Sequence, residues 1–115
     1  MFFNKGKKIA MVEGDFGVAL PFEIDLEDGE SLTENDNFRV SIFDKLNSEA
    51  IIEKNYTVDE ENIFDFVLTE EESKRLKVGF YMYDVDYYSG KRFMNNLIAK
   101  EDFEVYEKAR DVNED

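Results

Sequence analysis

Residues 78–98 constrain this chain more than any other stretch. The run Val78-Gly79-Phe80-Tyr81-Met82-Tyr83-Asp84-Val85-Asp86-Tyr87-Tyr88 leads into Ser89-Gly90, and Lys91-Arg92-Phe93-Met94-Asn95-Asn96-Leu97-Ile98 follows. Two apolar runs about a Ser-Gly turn have the form of a β-hairpin. Apolar residues occupy both parities of the first run: Phe80 and Met82 on one, Tyr81, Tyr83, Val85 and Tyr87 on the other. A strand apolar on both faces is central or covered on both sides. Its cover is either the rest of this chain or another protein.

The clearest period-2 signal lies upstream. Phe16, Val18, Leu20, Phe22, Ile24 and Leu26 alternate with small, charged or proline residues, which predicts one long strand with a single core face. Pro21 lies inside it and has no N–H, so its nitrogen must face an open edge or a bulge. Further strands are expected at Lys8 to Val12, Phe38 to Phe43, Ala50 to Lys54, Asn62 to Leu68 and Phe103 to Tyr106. Asp28-Gly29 reads as a tight turn, Glu30 to Asn37 as loop and Asp44 to Ser48 as a connection. Thr69-Glu70-Glu71-Glu72 has the form of a capping box, which predicts a helical turn near 70–76.

Together these elements predict an all-β chain, an immunoglobulin-like antiparallel β-sandwich of about seven or eight strands. A small closed barrel is the rival, and Pro21 favours open edges. Residues 1–7 read as a short arm, 8–106 as the sandwich and 107–115 as a charged, frayed tail.

Composition removes several kinds of chemistry. The chain has no Cys and no His, which excludes disulfides, thiol nucleophiles, imidazole bases and the usual zinc sites. A net charge of −14 repels phosphate backbones and anionic membrane surfaces, so neither nucleic acid nor a membrane is an expected partner. No apolar run has the length of a membrane span, and no apolar segment follows the basic N-terminus as a signal peptide requires. Synthesis in the cytoplasm is the expectation.

The remaining motifs favour plain readings. Asp84 and Asp86 share a strand face roughly 7 Å apart, a spacing open to acid–base work or Ca²⁺. Two solvated hairpin carboxylates are the simpler reading. Asp25 to Glu30 resembles a calcium loop, but with Gly29 at the sixth position the first ligand position falls on Ile24. Glu13-Gly14-Asp15-Phe16-Gly17 lacks the Lys of a phosphate loop. No enzyme and no cofactor are expected. The candidate protein interface is Tyr81, Tyr83, Val85, Tyr87 and Tyr88, because outward aromatics on a strand mark contact surfaces.

The order of these elements is similar to a known family. Gly14-Asp15 precedes the strand Val18 to Ile24, then come Asp28-Gly29, Phe38 to Asp44, Leu68-Thr69-Glu70-Glu71-Glu72, Gly79 to Val85 and Asp102 to Val105. This series resembles the immunoglobulin-like N-terminal domain of baseplate upper proteins and related tail proteins of phages and prophages of Gram-positive bacteria. The resemblance covers most of residues 8–106. It implies a non-catalytic structural role, docking onto virion subunits or onto further copies of itself. Family members usually continue into further domains, whereas this sequence stops after the sandwich, so the expectation here is a stand-alone small virion component or a different small sandwich protein. Two alternatives belong to other classes. One is a carbohydrate-binding β-sandwich, disfavoured by the absence of Trp. The other is an acidic DNA-mimic inhibitor.

Overall fold

Eight strands and one helical turn make two facing sheets in a computed structural model that describes residues 2–3, 8–46 and 49–108. The strands are β1 (Phe2–Phe3), β2 (Ile9–Val12), β3 (Leu20–Asp25), β4 (Asp36–Asp44), β5 (Ala50–Tyr56), β6 (Ile63–Phe66), β7 (Gly79–Ser89) and β8 (Arg92–Tyr106), with α1 (Glu70–Ser73) between β6 and β7. One sheet has the order β1-β3-β6 and the other β2-β8-β7-β4-β5. The chain is an all-β, immunoglobulin-like sandwich.

Several expectations need correction. The larger sheet is mixed, because β2 runs parallel to β8 while the other pairings are antiparallel. The strand foreseen from Phe16 begins only at Leu20. Part of the N-terminal arm is a strand, with Phe2 and Phe3 opposite Asp25 and Ile24. The rest of the arm, Asn47-Ser48 of the β4–β5 connection and residues 109–115 of the tail lie outside the described residues. Pro21 sits where its chemistry requires. The Ile24 amide donates to Asn62 on the β6 side at 2.9 Å, so by alternation the Pro21 nitrogen faces away from β6 and is not asked to donate to it.

The core is built from rings in place of a cystine. Phe38, Val40, Ile42, Tyr83, Val85, Phe103 and Val105 of the larger sheet face Ile24, Phe64 and Phe66 of the smaller one. Phe64 stacks on Phe22 at 5.2 Å, on Tyr56 at 5.1 Å and on Phe38 at 5.8 Å, which ties the sheets together. The Tyr81 hydroxyl donates to the Lys77 carbonyl at 2.7 Å, a tyrosine corner at the start of β7. Two residues on, where antibody domains place a cystine, Tyr83 meets the Phe22 ring edge-on at 6.3 Å.

The hairpin turns at Gly90, whose φ of +60° suits the first central position of a type II′ turn. Its second strand is far longer than expected. Lys91 to Ile98 and Phe103 to Tyr106 were foreseen as separate strands, yet both belong to β8. The reason is a set of bulges that break the period of two. Tyr83 pairs with Glu101 and Val85 with Ile98, so Asp84 opposes both Ala99 and Lys100. Lys100 takes a left-handed φ of 49°, and its amide donates to the Asp84 carboxylate at 2.7 Å. Asp86 holds the next irregularity, accepting from Asn96 Nδ2 at 2.7 Å. The carboxylate pair is therefore hydrogen-bonded into the hairpin.

The capping box forms as expected. The Glu72 amide donates to Thr69 Oγ1 at 3.1 Å, and the Thr69 amide to Glu72 Oε1 at 2.9 Å. Lys54 of β5 reaches across to the same carboxylate at 2.8 Å and also donates to the Val67 carbonyl. Burial pushes the Glu72 carboxyl up. The bonds from Lys54 and Thr69 outweigh it and hold the group below its ordinary value. This strut fixes the connection that leads into β7.

Candidate functional site

The five residues singled out from sequence do not share one surface. Tyr83 and Val85 are fully buried, so as outward interface residues they are corrected: the small sheet of the same chain covers them. Tyr81 is half-buried at its corner, where burial foremost raises the hydroxyl's pKa. Tyr87 is half-buried, stacks on Phe38 at 5.5 Å and donates to Asp36 Oδ1 at 2.7 Å. Tyr88 lies on the outer face, under the Arg39 guanidinium at 4.5 Å and against the edge of Phe93 at 5.6 Å. The two-sided apolarity of β7 thus has an internal explanation on the Tyr83 side.

The exposed apolar surface lies elsewhere. Nine large apolar side chains are exposed among the described residues. Phe93 and Met94 flank the hairpin tip, and the other seven collect at the opposite end of the sandwich: Val12, Phe16, Val18, Leu46, Val78, Phe80 and Tyr106. Strand register places them together. Val12 pairs with Tyr106, Gly79 with Val105 and Asp44 with Tyr81, so the end of β2, the end of β8, the start of β7 and the β4–β5 turn form one row. Leu46 is 95% exposed, Phe80 67% and Val18 65%, which is full display for large apolar groups.

The loop between β2 and β3 is held outward by its backbone. The Asp15 amide donates to the Val12 carbonyl at 3.1 Å, and the Gly17 amide to the Leu68 carbonyl at 2.9 Å. Gly17 has a φ of +75°, a conformation that L side chains rarely adopt. These contacts turn Phe16 and Val18 out as the lip of an apolar cleft of about 120 Å³, floored by Leu20, Phe66, Leu68 and Phe103. A second hollow, about 370 Å³, lies between Leu46, Val78 and Phe80. Sequence reading missed this surface because the Phe16–Leu26 alternation suggested a core strand. The usable signal was the pair of glycines at 14 and 17, which break a strand where the alternation continues.

Charge is distributed unevenly around this end. Glu13 and Asp15 project at the β2 corner and Lys45 at the β4 corner, with no ion pair among the described residues for any of the three. The helical turn is internally neutralised, with Lys74 near Glu70 at 3.7 Å and Arg75 near Glu71 at 3.8 Å. Among the described residues no group of three or more His, Cys, Asp or Glu is placed to hold a metal ion. The arrangement suits apolar contact with a macromolecule, framed by charges of both signs. Comparisons with family models, with curated proteins and with solved structures return no match for this chain.

Proposed function

We propose that this chain is a non-catalytic assembly module that docks onto protein subunits of a phage or prophage particle through the apolar end of its sandwich. The observation that carries the docking reading is the gathering of seven exposed apolar side chains at one end. Scattered single apolar residues are ordinary on a protein surface, whereas a contiguous patch marks a contact site. The resemblance of the element order to that of the phage tail domains supports the choice of particle.

The test is coexpression with the proteins encoded beside it, followed by affinity retention. The wild-type chain is expected to retain a neighbouring subunit, and the Phe16→Ser/Val18→Ser double variant to lose it while keeping its circular dichroism spectrum. Both residues are outside the core, so the variant is expected to fold. Undiminished retention by the variant would count against this surface. Binding to a glycan array with no subunit retained would favour the carbohydrate-binding alternative.

A further inference from the structure

We infer that an extended segment of a neighbouring subunit adds to the free edge of β2 as a further strand. It runs antiparallel to β2, sets aliphatic side chains into the adjoining cleft and carries a basic residue beside Asp15. This inference rests on the docking reading above and names the form of its partner. Three features point to a strand.

The first is the backbone of β2. The Glu13 amide donates to the Tyr106 carbonyl at 2.8 Å, so along this parallel pair Ile9, Met11 and Glu13 turn their polar groups towards β8. By alternation Ala10 and Val12 turn theirs the other way. The Val12 carbonyl accepts from the Asp15 amide at 3.1 Å. The Val12 amide and both polar groups of Ala10 have no partner among the described residues. Unpaired groups along a sheet edge are the template that an incoming strand completes.

The second is the contrast with the other edges. β6 is closed at both ends of its outer side. Asp59 takes the Ile63 amide on its carboxylate at 3.0 Å and gives its own amide to the Ile63 carbonyl at 2.9 Å, while the Tyr56 hydroxyl accepts from the Val67 amide at 3.2 Å. β5 carries Lys54 on its inward face, tied to Glu72 at 2.8 Å, and an inward charge on an edge strand deters pairing. β3 has Pro21, and β1 is two residues long. β2 has no proline and no inward charge: Ile9 and Met11 face in, and the residue between them is the small, exposed Ala10.

The third is the cleft. Ile9, Ala10 and Met11 form one wall of its 120 Å³, so it opens along the β2 edge. An apolar cavity of about 150 Å³ takes up benzene, so this one has room for a Val or Leu side chain. Asp15 is the charged residue in its described lining, exposed and without an ion pair among the described residues. It fits a Lys or Arg on the incoming segment. Antiparallel pairing is the more stable kind per residue, which places that basic residue at the segment's N-terminal end.

Amide hydrogen exchange with the peptide acetyl-Lys-Thr-Val-Thr-Val-Thr-amide tests the inference. In excess peptide the Ala10 and Val12 amides are expected to exchange about tenfold more slowly, with the β5 amides unchanged. The same peptide with Glu in place of Lys is expected to bind about fivefold more weakly. Ala10→Pro removes the outward amide and no bond to β8, so it is expected to abolish the protection of Val12 and the retention of a neighbouring subunit. Ala10→Ser keeps the backbone and is expected to preserve both. Two N-methylated peptides make the test independent of how Ala10→Pro folds. Methylation at alternate residues blocks one edge of the peptide or the other, so one of the two is expected to bind and its counterpart to fail. No protection at Ala10 and Val12 would overturn the inference. So would equal binding by both methylated peptides, or a Glu peptide as tight as the Lys peptide. If retention survives Ala10→Pro but not Phe16→Ser/Val18→Ser, the added strand falls and the docking reading stands. If the peptides behave as described while the wild-type chain retains no neighbouring subunit, the added strand stands and the particle partner falls.

Discussion

Tyr83→Ala is expected to lower the free energy of unfolding by about 3–5 kcal/mol, whereas Phe80→Ala, three residues away on the same strand, is expected to change it by less than about 0.5 kcal/mol. The contrast follows from strand parity. Tyr83 has no exposed surface and meets the rings of Phe22 at 6.3 Å and Phe103 at 6.4 Å. Removing its ring leaves a cavity at the point where the two sheets are joined, and no disulfide is present to hold them. Phe80 points the other way and is 67% exposed, so alanine there removes little buried area. Urea unfolding of both variants measures the difference through the midpoint, with the slope unchanged. Equal costs, or a larger cost at Phe80, would mean that the outward and inward faces of β7 are exchanged.

Asp36→Ala is expected to cost about 2 kcal/mol, the second-largest single effect, through loss of two part-buried hydrogen bonds. Asp36 opens β4 and is 5% exposed. One carboxylate oxygen accepts from the Tyr87 hydroxyl at 2.7 Å and the other from the Thr33 amide at 2.8 Å. Alanine removes both acceptors at once and leaves the half-buried Tyr87 hydroxyl and the Thr33 amide without their partner. A titration separates this bond from mere packing. Burial, and then the hydrogen bond and negative charge of Asp36, push the Tyr87 hydroxyl up to about 12. An unfolded tyrosine ionises near 10, so between about pH 10 and 12 the folded chain holds a proton that the unfolded chain has lost. The stability contributed by Tyr87 is therefore complete below about pH 10 and falls as pH rises towards 12. Ultraviolet titration is expected to find Tyr87 among the last tyrosines to ionise, and Asp36→Ala to move it towards 10. An unchanged ionisation in the variant would contradict the bond.

Most of the fold was legible because period-2 alternation and turn chemistry both favour strands. Phe38 to Phe43 was expected as a strand, and its alternate residues Phe38, Val40 and Ile42 are all buried. Thr69 and Glu72 announced their capping box, and Gly90 its turn. Two kinds of element were misread for physical reasons. β8 was divided in two because the bulge at Ala99-Lys100 shifts the inward parity from Phe103 to Ile98, and the bulge depends on an Asp84 bond made across strands. The stretch from Phe16 to Ala19 was taken for strand because Phe16 and Val18 continue the alternation of Leu20, Phe22 and Ile24. Alternation does not distinguish a side chain facing this chain's own core from one displayed outward. The same ambiguity lay behind the tyrosines. Tyr81, Tyr83, Val85 and Tyr87 carry a pattern that fits a core or an interface equally, and only the small sheet opposite decides between them. Asp36 gave no sequence signal of its own, since its partners are 3 and 51 residues away.

Carbene footprinting of the chain, free and assembled, addresses the central claim most directly: β7's tyrosine face is core, and contact with other chains is made at the end of the sandwich. In the free chain, labelling is expected at Phe16, Val18, Leu46, Val78 and Tyr106 and absent at Tyr83 and Val85. On assembly the end residues are expected to lose their label while Tyr83 and Val85 stay unlabelled throughout. Labelling of Tyr83 and Val85 in the free chain, followed by their protection on assembly with the end residues unchanged, would contradict it.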